Sequence, residues 1–360
     1  VALHQVKHNG IAPEVVCVGH AIVDLVNFVA VEELAANGLR PGTMNLIDLA
    51  EATRLTSAFP GAQLVSGGSA ANTAAGVASF GGAPLFVGAV GDDPLGAGYA
   101  ADLEVAGVSC VLGEPAGEPG AVTGQCFVLV TPGADRTMAT YLGLAGTLTA
   151  AAMAQAPIHS TRIIYFEGYL YDAPARAALE HGVEIAKSVG TPVALTLSDP
   201  FLAERHNEAL SRLVESTVDI LFANETELIS LTGAADVHAA IASIARPDLT
   251  AFVTRGAEGA LAVTGDAVEE VPAFPVERVV DTTGAGDLFA AGALFGLVRG
   301  ASAAHAARLG ALAAAEIISH AGARTERSLR ELAHLHGLDL ELEVGPDVGR
   351  EFGLDLGQRA

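Results

Sequence analysis

The chain is 360 residues long, 51% apolar and 17% charged, a composition that can bury a substantial core and excludes pervasive disorder. Its 42 acidic residues outnumber 19 basic ones, and the formal net charge of -23 excludes a broad surface for nucleic acid or anionic membrane. The longest apolar helical stretch, Ala303 to Ile318, is broken by His305, Arg308 and Glu316, so it reads as a packed helix and not as a membrane span.

Val1 to Gly10 is polar and lacks the apolar region of a secretory signal. Cys17, Cys110 and Cys126 have no paired spacing. The expectation is a cytoplasmic protein with reduced, buried thiols. Glu14 to Gly19 predicts a buried strand leading to Asp24 at its carboxyl end, where open α/β sheets bind ligands, although an Asp there also serves as a turn cap. Val26 to Ile47, around Arg40-Pro41-Gly42, reads as a small inserted subdomain. Ser66-Gly67-Gly68-Ser69-Ala70-Ala71-Asn72-Thr73-Ala74 then sets paired glycines before a helix of small residues. Such a helix can pack closely on its neighbours or let a ligand approach its backbone, and Asn72 can both donate to and accept from a hydroxyl.

Pro84 to Gly91 predicts a strand, and Asp93-Pro94 opens a helix. Val122 to Val130 and Arg136 to Tyr141 flank the turn Thr131 to Asp135 as a hairpin, which with the early insertion would form a lid. Arg136 suits an oxyanion there, or is an ordinary strand arginine. Beyond a helix near Thr149, strands and helices alternate: Arg162 to Phe166, Ala173 to Val189, Pro192 to Leu197, Phe201 to Glu215, Val218 to Ala223. That succession predicts a parallel sheet covered on both faces. Asn224-Glu225-Thr226-Glu227 follows as a helix start with the grammar of a capping box. Thr250 to Thr254 and Ala260 to Thr264 are strands joined through Gly256 and Gly259.

Asp281-Thr282-Thr283-Gly284-Ala285-Gly286-Asp287 ends an extended segment and opens a long apolar helix, Ser302 to Ser319 forms another, and Gly322 stops it. Glycines at a helix N-terminus can turn successive N–H groups into an anion cradle. Asp287 in that first turn makes sense if it takes a proton from an attacking hydroxyl while the cradle absorbs charge on a transferred phosphoryl group. A plain helix start with an Asp near the dipole has the same local grammar.

Gly-Gly-Ser-Ala-Ala-Asn and, roughly two hundred residues later, Asp-Thr-Thr-Gly-Ala-Gly-Asp resemble, in this order, the two signatures of the ribokinase-type (PfkB) carbohydrate and nucleoside kinases. The resemblance covers about residues 14 to 335. It implies a ribokinase-like three-layer α/β/α fold with a mostly parallel central sheet and a small β lid from insertions at about 24–48 and 113–142, followed by an acidic tail, 336–360. It further implies Asp287 as catalytic base, an anion hole at Gly284, Ala285 and Gly286 assisted by Arg136, and a sugar held by Asp24, Gly67, Gly68 and Asn72. ATP would meet Asn224, Thr254, Gly256 and Gly259, with Mg2+ held through water at Glu227 and Asn224, and Asp281 and Thr283 fall where some members bind a monovalent cation such as K+. The chain looks nearest to adenosine kinases, also through Thr196 to Phe201, but departs from them at His20, Met44 and around Tyr169-Leu170. The expected reaction is therefore ATP-dependent phosphorylation of a primary hydroxyl on a nucleoside, or on a free sugar such as ribose, fructose or 2-keto-3-deoxygluconate, by a monomer or homodimer. A non-catalytic sugar or nucleotide sensor built on the same cleft is the other class considered.

Overall fold

The computed structural model of the protein describes residues 4–5, 12–113, 120–132, 136–172 and 174–338. Most of the acidic tail and the tip of the expected hairpin turn, 133–135, lie outside the described residues. A ten-stranded sheet runs in the order His4–Gln5, Ser109–Gly113, Pro84–Ala89, Val15–Val18, Ile163–Glu167, Val193–Thr196, Ile220–Asn224, Thr250–Thr254, Ala260–Thr264, Ala267–Val271. Every pairing from Ser109–Gly113 to Thr250–Thr254 is parallel, and the outer pairings are antiparallel.

The central strands are apolar on both faces because both faces are covered. Cys17, Phe86, Tyr165 and Phe222 enter one core with the Ala285–Leu297 and Ala303–Ile317 helices. Their neighbours Val16, Val87, Ile164 and Leu221 enter a second core on the side of the Arg176–Val189 helix. This alternation makes three α/β/α layers. The order reverses at Val15–Val18, whose neighbours lead in opposite directions through the sequence, so a crevice opens beyond its carboxyl end. Cys17, Cys110 and Cys126 are buried and outside any disulfide.

Small residues bring three helices together at that crevice. A methyl group on Gly76, in the Ser69–Ser79 helix, would sit 2.5 Å from the Ala291 side chain, and one on Gly292 would strike the Leu309 backbone at 2.5 Å. The runs of Gly and Ala thus set how closely the two glycine-rich segments approach.

A second sheet has the order Met44–Leu46, Arg136–Tyr141, Gly124–Val130, Ile22–Phe28, Gln63–Ser66. It draws on the chain as far as Ser66, past the expected early boundary. Leu25, Phe127, Leu129 and Ala139 face one side and share a core with Leu34 and Leu55 of the Val31–Ala36 and Leu49–Ala58 helices.

Two expectations about elements are corrected, and one element was not foreseen. Asp24 does not follow the Val15–Val18 strand as a loop residue but lies inside Ile22–Phe28, because the chain turns at Gly19 to Ala21 and starts the second sheet at once. Phe201 to Glu215 is two helices, Pro200–Arg205 and Asn207–Ser216, separated at His206, whose ring bonds Asp172 at 2.7 Å. Ala267–Val271 is an edge strand that the sequence reading missed, since four of its five side chains are exposed and show no apolar alternation.

Candidate active site

Gly284 caps the Ala285–Leu297 helix in the left-handed region, φ 78°, and a β-carbon there would fall 3.0 Å from that of Ala323. No side chain caps this end. The Ala285 amide turns back to the Thr282 carbonyl at 3.2 Å, which leaves the amides of Gly286 and Asp287 as first-turn donors without an intrahelical acceptor.

Asp287 accepts from Ser69 Oγ at 2.6 Å and from Asn72 Nδ2 at 2.9 Å, and its backbone carbonyl accepts from Thr73 Oγ1 at 3.1 Å. Burial raises its pKa to about 6, against the pull of the Ser69 and Asn72 bonds. Such a carboxylate is charged at neutral pH yet basic enough to accept a proton. Gly67 and Gly68 lead directly into Ser69. A β-carbon on Gly67 would fall 2.7 Å from Asp24 Oδ2, and one on Gly68 would fall 2.2 Å from the His20 carbonyl oxygen. Asp24 is likewise raised by burial, to about 7, with Arg136 and Arg324 drawing it down.

Glu167, which the sequence reading passed over, ends the Ile163–Glu167 strand at the crevice. It is buried and accepts from the His20 amide at 2.8 Å, His20 Nδ1 at 2.7 Å and the Ala70 amide at 3.0 Å. It therefore ties the start of the second sheet to the helix that grips Asp287. Its only signal was an acidic residue at the end of an apolar central strand. Ser69 and Thr73 also went unassigned, as did Arg324, which donates to the Ala71 carbonyl at 2.7 Å and lowers the pKa of both Asp24 and Asp287.

A cavity of about 860 Å³ extends from Ser69 and Asp287 past Gly284, Ala285 and Gly286 to Asn224, Glu227, Thr254, Gly256 and Gly259. Its far end is apolar, walled by Phe274, Val279, Ala311, Ala314 and Ile318. One cavity thus joins a helix tip suited to anions, a basic carboxylate and an apolar slot. Asn72 bonds Asp287, Gly67 and Gly68 precede Ser69, and Asp24 packs on Gly67, all four outside this lining.

Asn224 and Glu227 form a reciprocal capping box: Glu227 N–H donates to Asn224 Oδ1 at 2.8 Å, and the Asn224 amide to Glu227 Oε2 at 2.9 Å. Burial raises Glu227 to about 7, with Asp199 and Asp287 adding repulsion. A cation would relieve that carboxylate crowding. Among the described residues no group of three or more His, Cys, Asp or Glu could hold a metal alone, so Mg2+ here would take phosphate oxygens and water as most of its ligands.

Arg136 reaches from the second sheet to Asp281 and to Thr283 Oγ1, the latter at 2.7 Å. Burial alone would raise the pKa of Asp281, but bonds from Gly322 and Thr283 and the charge of Arg136 hold it below the usual range.

Residues 12–329 match the pfkB family carbohydrate kinase profile. The chain is 29% identical over 311 residues to an adenosine kinase of Saccharomyces cerevisiae, covering 80% of this chain and 89% of that protein. It is 33% identical over 234 residues to fructokinase-1 of Oryza sativa subsp. japonica, covering 62% and 71%. The crystal structure of adenosine kinase from Sinorhizobium meliloti superposes with a TM-score of 0.81 at 38% identity, covering 91% of this chain and all of that one.

Proposed function

The chain belongs to the pfkB family of carbohydrate kinases, and on that premise we propose that this sugar or nucleoside kinase transfers the γ-phosphoryl group of ATP to the primary hydroxyl of a nucleoside. Asp24, Gly68 and Asn72 hold the ribose, and Asp287 takes the hydroxyl proton as the oxygen attacks. The free amides of Gly286 and Asp287 at the helix tip receive the charge that grows on the transferred group, while Arg136 stays bonded to Asp281 and Thr283 in the loop before it. Mg2+ at Asn224 and Glu227, held through water, neutralises the triphosphate when bound. The adenine lies in the apolar slot.

The observation that carries the nucleoside over a free sugar is the face of the second sheet that bears Asp24. Side chains alternate along a strand, so Val26 and Phe28 share that face, and the pairing adds Val65, Met138 and Met44. Phe28 is 81% exposed and Met44 47%. A nucleobase offers these side chains a wider and flatter apolar face than a free sugar does. Because the opposite face is covered by the chain's own helices, we further propose a monomer.

ATP consumption with Mg2+ on adenosine, inosine, ribose, fructose and 2-keto-3-deoxygluconate tests the acceptor. A kcat/KM on a nucleoside at least about tenfold above every free sugar is expected. Preference for a free sugar overturns the nucleoside reading, and no turnover on any acceptor overturns the proposed chemistry.

A further inference from the structure

The loop that leads into the Ala285–Leu297 helix receives a positive charge from Arg136 of the second sheet. An ionised carboxylate offers about four lone-pair positions, and at Asp281 all four are taken. Oδ1 accepts the Thr283 amide at 3.0 Å and the Thr283 hydroxyl at 2.8 Å. Oδ2 accepts the Gly322 amide at 2.9 Å and the Arg136 guanidinium. Thr283 Oγ1, the next oxygen a metal ion could use, accepts from Arg136 as well. A monovalent cation placed here would lie against a guanidinium and compete with it for the same oxygens. The residues do not fit the ion that the family resemblance suggests.

We propose that Arg136 is the resident cation of this loop, so that turnover needs no monovalent metal ion. The Asp281 side chain is 6% exposed and that of Arg136 26%, so the pair is screened little by solvent. The guanidinium is bonded to Thr283, the residue before Gly284, so its charge can offset phosphate charge gathered at that helix tip as a bound ion would. It also arrives on a strand of the second sheet, which couples that sheet to the phosphate end of the cleft. Arg136 is here a positioning residue, and the inference rests on the reading of that tip as an anion cradle.

The test compares the wild type, Arg136→Gln and Arg136→Lys in tetramethylammonium chloride and in KCl at equal ionic strength. It reads ATP consumption with adenosine, the Kd of MgATP by calorimetry, and the melting temperature. For the wild type, K+ should change turnover and Kd by less than about twofold and leave melting unmoved. Arg136→Gln should lose activity and regain at least about fivefold in turnover or in MgATP affinity with K+, along with a higher melting temperature. Arg136→Lys, which keeps the charge, should stay indifferent to K+. Activation of the wild type by K+ above about fivefold overturns the proposal, as does an Arg136→Gln protein whose binding and melting ignore K+. If adenosine is not a substrate, the calorimetric and melting arms still decide, so failure of the acceptor reading is distinguishable from failure of this one.

Discussion

The side-chain amide of Asn72 donates to the carboxylate of Asp287 across 2.9 Å, joining segments 215 residues apart in the sequence. A base held this way needs no reorganisation when the hydroxyl arrives. Asp287→Asn keeps the shape and removes the basicity, so kcat should fall roughly 100- to 10,000-fold with the circular dichroism spectrum unchanged. Turnover within about tenfold of wild type would remove Asp287 from the chemistry.

The same carboxylate sets a pH dependence. Its pKa of about 6 means that kcat/KM should rise with pH through that value and level off above it. Asn72 stabilises the ionised form, so Asn72→Ala should move the inflection upward as well as lower the plateau. A profile whose inflection stays fixed in Asn72→Ala would assign it to another group.

Stability should run in the opposite direction. Asp24 and Glu227 both have pKa values raised to about 7 by burial, so the folded state binds their protons more tightly than the unfolded one. Their contribution is fully present below the unfolded carboxylate pKa and is lost as pH rises through about 7. Glu227→Gln should therefore match the wild type in unfolding free energy from urea titration near pH 4 and exceed it at pH 8, by a gap on the order of 1 to 3 kcal/mol. A gap that closes as pH rises would show that the pKa of Glu227 is not raised.

On the apolar face of the second sheet, Met138 pairs with both Val128 and Met44. If a nucleobase covers this face, Met138→Ala should raise KM for the nucleoside roughly 5- to 30-fold with kcat nearly unchanged, the signature of binding lost equally from ground and transition states. An unchanged KM would place the base elsewhere.

What the sequence carried and what it withheld divide along local and distant relations. The parallel sheet was legible because each central strand is a short apolar run between helices of helical period. Two glycine-rich segments could each be singled out, but nothing within either says that Ser69 and Asn72 reach Asp287. Glu167 was hidden for the same reason: its partners His20 and Ala70 come from two other segments, and locally it is one acidic residue after Phe166. Asp24 was placed on the wrong element because three residues, Gly19 to Ala21, suffice to pass from one sheet to the next.

Gly68 gives the sharpest test of how those segments meet. Its φ of +93° lies where side chains are rarely tolerated, and a β-carbon would sit 2.2 Å from the His20 carbonyl oxygen. Neither problem relaxes easily, because His20 is fixed by two bonds to the buried Glu167 and the Ser69–Ser79 helix begins at the next residue. Gly68→Ala should therefore displace that helix from the second sheet, lowering stability by about 1 to 3 kcal/mol and pulling Ser69 and Asn72 away from Asp287. Activity should fall by more than the loss of folded protein accounts for, since about 1 Å of misplacement costs on the order of a hundredfold. Gly98→Ala is the control, because a β-carbon there meets nothing within 4 Å. Equal melting temperatures and turnover for the two variants would mean that the contact between His20 and Gly68 does not set the geometry of the base.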